Sequence, residues 1–114
     1  MDKLDRSGVL RFTDAKARIP SPESDHAVNL LERGTLKVKL SIPVRPTAQT
    51  PHTQDELYIV VRGRGVLVHH DKRDPFEAGD LLYVSAGTEH QIVDFTDLAV
   101  WVVFYGVEGG EIAT

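Results

Sequence analysis

The stretch Thr50-Pro51-His52-Thr53-Gln54-Asp55-Glu56-Leu57-Tyr58-Ile59-Val60-Val61 changes character at its middle, from polar to wholly apolar, and ends at Arg62-Gly63-Arg64-Gly65. A short apolar run closed by turn residues reads as a strand buried on both faces. Side chains alternate along an extended chain, so His52, Gln54, Glu56 and Tyr58 are expected on one side of it. Glu56 carries a carboxylate into this buried strand. Desolvating such a charge without compensation is costly, and a metal ion is one natural partner for it.

Working outward, strand signals dominate. From Thr35 to Val44, Leu36, Val38, Leu40 and Ile42 alternate with Lys37, Lys39 and Ser41, the pattern of a half-buried strand with one apolar and one wet side. Val9 to Phe12, Val28 to Leu31, Leu57 to Val61, Gly65 to His69, Asp80 to Val84, Gln91 to Phe95 and Ala99 to Tyr105 are further strand candidates. The clusters Glu32-Arg33-Gly34, Arg62-Gly63-Arg64-Gly65, Asp71-Lys72-Arg73-Asp74-Pro75, Glu77-Ala78-Gly79-Asp80 and Phe95-Thr96-Asp97 read as turns between them, the second as a hairpin. Short strands joined by tight turns define an all-β, antiparallel barrel or sandwich.

Residues 19–25, with Pro20 and Pro22, read as a loop, and the segment before them as an arm laid on the barrel. The expected organisation is one domain, with residues 1–34 as arm and first strands and 35–114 as barrel core. Leu57 to Val61 and Ala99 to Tyr105 are apolar on both faces, so the arm or a second subunit is expected over the outer face, and a homodimer is expected.

A chain of 114 residues has room for one core. The net charge of −4 and the scattered basic residues give no electrostatic footprint for nucleic acid. With no cysteine, thiolate metal sites, disulfides and cysteine nucleophiles are excluded, and a metal must be held by nitrogen and oxygen. Met1-Asp2-Lys3-Leu4-Asp5-Arg6 lacks the apolar core of a signal peptide or membrane span, so a cytoplasmic location without membrane contact is expected.

A second cluster combines Gly79 with Ser85-Ala86-Gly87-Thr88-Glu89-His90. Together the two clusters resemble the cupin family, whose motifs are G-x5-H-x-H-x3-E-x6-G and G-x5-P-x-G-x2-H-x3-N on neighbouring strands of a small jelly-roll barrel. Glu56, followed by Gly63 at the motif spacing, puts His52 at the second histidine, Thr50 at the first and Val44 at the opening glycine. In the second motif Gly79, Gly87 and His90 match, while Ser85 replaces the proline and Asp94 the asparagine. The resemblance covers residues 35 to 105 and implies a small antiparallel jelly-roll barrel with a divalent metal at His52, Glu56 and His90. Two histidines and one carboxylate suit non-haem Fe(II) and leave positions open, and Zn, Mn or Ni fit according to supply. Gln54 offers a further neutral oxygen, and Thr50 and Tyr58 are the expected pocket residues.

The other histidines are assigned less chemistry. His69 and His70 are adjacent and point to opposite faces, with at least one solvated near Asp71, and His26 lies among Glu23 and Asp25 as a surface residue. Trp101 and Tyr105 share one parity and Phe104 the other, so alternation leaves open which of them faces inward. Two functions fit the resemblance: metal-dependent catalysis on a small molecule, or a module that binds a small molecule or metal without turnover. Serine hydrolysis is disfavoured, because Ser85 has no nucleophile-elbow pattern around it.

Overall fold

The computed structural model describes residues 7–47 and 51–112. Thr50, expected at the pocket, lies outside the described residues. A five-residue helix, α1 (Phe12–Lys16), precedes six strands: β1 (Ala27–Arg33), β2 (Leu36–Ser41), β3 (Asp55–His69), β4 (Lys72–Glu77), β5 (Leu81–Val84) and β6 (His90–Tyr105). All pairings are antiparallel, in the order β1-β2-β6-β3-β4, with β5 on the outer edge of the first part of β3. The sheet curls without closing through hydrogen bonds among the described residues. This is the all-β antiparallel architecture expected from the strand pattern, and it fits the small jelly roll that the resemblance implies.

The sequence pattern divides each of the two long strands, β3 and β6, into two short ones. β3 and β6 pair along nearly their whole length, but the register slips between Val60 and Arg62, Arg62 and Arg64, and Arg64 and Val66. The expected hairpin at Arg62-Gly63-Arg64-Gly65 and the expected turn at Phe95-Thr96-Asp97 are therefore facing bulges, which bend the strands without ending them. Gly63 takes φ +83°, and a Cβ there would collide with the carbonyl oxygens of Thr96 and Asp97. The glycine that looked like a chain reversal instead permits close backbone approach.

The bend folds one half of the sheet over the other. Tyr58, Val60, Val100 and Val102 from one half meet Leu67, Phe76 and Ile92 from the other in a single buried cluster. β4 was hidden within an expected turn. The turn is only His70 and Asp71, both at positive φ (46° and 63°), forming a two-residue hairpin loop. β4 presents charged residues to solvent and buries only Phe76, so its composition resembles a loop, and Pro75 is tolerated because β4 is an edge strand.

Val9 to Phe12 is not a strand: α1 begins at Phe12, and the preceding residues are irregular. This arm covers part of the outer face. Ala15 is buried with Val28, Leu30 and Leu40, and Leu10, Phe12, Ile19, Ile42 and Trp101 pack around them. The arm does not reach the β3–β5 part of that face, where Ile59 is 39%, Leu81 60% and Tyr83 54% exposed. β2 therefore turns its apolar side outward under the arm. Its Lys39 and Ser41 side, the expected wet face, lines the interior of the fold.

Candidate metal centre

His52, Glu56 and His90 reach the interior from different elements. Glu56 is the second residue of β3, His90 opens β6, and His52 lies in the loop before β3. The two loops are stitched together where Gly87 N–H donates to the His52 carbonyl at 2.8 Å. Asp55, beside Glu56 and almost fully buried, accepts from Ala86 N–H at 2.9 Å, Glu111 N–H at 2.9 Å and the Tyr83 hydroxyl at 3.3 Å. Its side chain ties the start of β3 to the loop preceding His90 and to the C-terminal segment.

One ligand-capable atom from each of the three residues lies within 4.8 Å of the others. Glu56 Oε1 is 3.0 Å from His90 Nε2 and 3.7 Å from His52 Nε2. Yet this oxygen is buried and makes no hydrogen bond, so the nitrogens are close without being aligned as donors. A buried acceptor with two imidazole nitrogens close to it is an arrangement that could hold a metal ion. The donor set fits a borderline divalent metal.

The electrostatics bind the three groups into one unit. Burial pushes the His52 pKa down; Glu56 opposes this, while His90 and Lys39 add to it. That keeps His52 neutral and able to donate a lone pair. Burial also pulls His90 down, but the adjacent Glu56 carboxylate and the Thr88 carbonyl outweigh it, so its pKa lies above the ordinary value. Tyr58, on the same side of β3 as Glu56, places its hydroxyl 3.1 Å from His90 Nε2. Burial, reinforced by Glu56, pushes this phenol far above its ordinary pKa, so it stays protonated.

Gln54 is placed elsewhere. β3 begins only at Asp55, and the bend at Thr53 and Gln54 breaks the alternation that would align them with Glu56. The Gln54 amide donates to the carbonyls of Thr35 (2.7 Å) and Gly106 (3.0 Å), and the residue does not line the cavity. Asp94, at the motif's asparagine position, is exposed and pairs with Arg73 at 2.7 Å, and Ser85 bonds the Thr88 hydroxyl at 2.8 Å. His69 pairs with Asp74 at 2.6 Å and His70 is exposed in the hairpin loop.

The three residues lie at one side of a cavity of about 380 Å³ that Tyr58, Val102 and Phe104 also line. Phe104, whose direction alternation left open, faces inward and meets the His52 ring edge-on at 4.8 Å between centroids. Lys39, Ser41, Arg45, Pro46, Thr47 and His26 complete the wall. None of these six had been read as a site residue. For Lys39 and Ser41 the signal was the polar half of the β2 alternation, while His26 is partly exposed beside Asp25, as a surface residue would be, and also lines the cavity.

Comparison with known proteins agrees with this architecture. The chain belongs to the cupin domain family, whose Cupin_2 profile matches residues 41–105. An uncharacterized protein of Streptomyces coelicolor is 40% identical over 58 residues, covering 50% of this chain and 55% of the relative, so the chain spans about half the length of that curated relative. A cupin-2 domain protein of Shewanella frigidimarina superposes with a TM-score of 0.70 at 20% identity, over 83% of this chain and 92% of that one. A cupin 2 conserved barrel protein of Salinispora arenicola gives 0.69 at 23% identity, over 90% and 92%. A proposed mannose-6-phosphate isomerase of Ralstonia eutropha gives 0.63 at 25% identity, over 90% and 99%. No described helix is long and apolar enough to cross a membrane.

Proposed function

We propose that this protein is a metal-dependent cupin acting on a small molecule, with a divalent transition metal held by His52, the Glu56 carboxylate and His90. The observation that carries this reading is the buried Glu56 Oε1, without a hydrogen bond and with two histidine Nε2 atoms at 3.0 and 3.7 Å. When bound, the metal would supply Lewis acidity or an oxygen-activating centre. The chain supplies the rest. Val102 and Phe104 form an apolar wall, and the Tyr58 hydroxyl, kept protonated by burial, is a hydrogen-bond donor beside His90 in the cavity lining.

Elemental analysis of protein grown with Fe, Mn, Zn and Ni in the medium tests the metal assignment: near-stoichiometric metal in the wild type and its loss in His52→Ala are expected. Equal content in both would remove the site from the argument. Anaerobic loading with Fe(II), followed by oxygen and a panel of small molecules, separates an enzyme from a non-catalytic binding module. Oxygen uptake with product formation marks the enzyme, whereas tight reversible binding without turnover marks the module.

A further inference from the structure

β2 runs through the fold with its sides reversed from the usual economy of a half-buried strand. Leu40 is fully buried on the outer side, beneath the arm and opposite Trp101, while Lys39 is half-buried on the inner side, opposite Val102. Lys37, of the same parity but nearer the other end of the strand, is exposed and does not line the cavity. The Lys39 ammonium stands 5.7 Å from the centroid of the Phe104 ring, and that ring touches His52, so one continuous wall joins a cation to the three-residue centre.

A second cation lines the same cavity from the segment after β2. Arg45 is exposed at the cavity's rim, 3.5 Å from the Asp25 carboxylate, which also holds His26 at 2.7 Å. Among the described lining residues Glu56 is the only carboxylate, and it points into the metal centre. A chain with an overall charge of −4 thus places a lysine and an arginine in the wall of the cavity that holds His52, Glu56 and His90. Low-dielectric walls strengthen the field of the half-buried Lys39 on a ligand, and Arg45 adds a solvated charge at the rim.

We propose that the cavity takes a small anionic molecule, with a carboxylate or phosphate group against Lys39 and Arg45 and the rest of the molecule directed toward His52, Glu56 and His90. This assignment of substrate class rests on the metal-site reading of the same cavity. An arginine offers paired N–H donors to either oxyanion, and a lysine a point charge to both.

Calorimetric titration of Zn(II)-loaded and metal-free protein with succinate, glucose 6-phosphate and the neutral counterparts succinamide and glucose tests it. Wild type is expected to bind at least one anion about tenfold or more tightly than its neutral counterpart, the size of one charged hydrogen bond. Lys39→Met and Arg45→Met, which keep the apolar stems, are expected to lose that preference while taking up Zn(II) as before, and Lys39→Arg to retain most of it. Stronger binding of succinate or of glucose 6-phosphate identifies the group as carboxylate or phosphate. Equal affinity for charged and neutral members, or an anion preference that survives both methionine variants, overturns the proposal and leaves the metal reading standing. If Zn(II) is not taken up, the metal reading fails by itself, and the metal-free titrations of wild type and Lys39→Met still decide the role of the cationic wall. Thermal melts confirm that each variant is folded.

Discussion

The Thr88 carbonyl oxygen lies 2.9 Å from His90 Nδ1. A carbonyl can only accept, so Nδ1 carries a proton and Nε2, facing Glu56 and Tyr58, is the nitrogen available to a metal. Nitrogen-detected NMR of the metal-free protein should show His90 protonated at Nδ1, and Zn(II) should shift Nε2. A Zn(II) response confined to Nδ1 would contradict the assignment.

Glu56→Gln removes the central charge while nearly keeping shape. A ligand should matter more than the outer partners whose loss typically costs about 10–100-fold in affinity, so Zn(II) affinity is expected to fall by at least about a hundredfold. Because the variant also relieves a buried carboxylate whose Oε1 lacks a hydrogen bond, the melting temperature in chelator should change little. Competition with a chromophoric chelator and a thermal melt read the two effects separately. Undiminished Zn(II) affinity would remove Glu56 from the site.

Tyr58→Phe deletes the hydroxyl at His90 and nothing else of comparable size. The expected cost is about 0.5–1.5 kcal/mol of stability, the net worth of one hydrogen bond. Metal content should be preserved, since the phenol is held protonated by burial and the Glu56 charge and so serves as a donor, not a ligand. Loss of metal in this variant would make Tyr58 part of the coordination shell.

Asp55 contributes a pH-dependent latch. The backbone N–H groups of Glu111 and Ala86 hold its pKa below the ordinary 3.8, with burial opposing and the Tyr83 hydroxyl assisting. A carboxyl depressed in the folded state stabilises it fully above its unfolded pKa and loses that contribution as pH falls through the folded value. Wild-type melting temperature is therefore expected to drop below about pH 4, where unfolded aspartates begin to protonate. Asp55→Asn should be less stable at neutral pH, show a shallower acid drop and exchange amide hydrogen faster at Glu111. An identical acid profile in the two proteins would dismiss the latch.

Gly63→Ala introduces a methyl where the backbone has φ +83° and the carbonyls of Thr96 and Asp97 press close. Backbone strain of this kind costs on the order of 1–3 kcal/mol, and the collision adds to it. Urea denaturation should show the loss clearly. Gly34→Ala has positive φ but open space around it, and serves as the control, with strain alone.

Two kinds of information were carried by the chain. Local alternation was enough to give an all-β antiparallel fold, and the motifs that resemble the cupin family singled out His52, Glu56 and His90, because strand periodicity and residue order are properties of the sequence. The same rules failed at Arg62-Gly63-Arg64-Gly65 and at β4: a glycine in a bulge and a polar edge strand have the composition of turns, and only pairing with β6 and β3 distinguishes them. They failed also at Gln54, where a bend before β3 removed the assumed alternation. Which side of β2 faces inward was decided by tertiary structure alone. Alternation fixes that two faces differ, and it was the arm packing on Leu40 and Ile42 that made the apolar face outer and left Lys39 in the cavity.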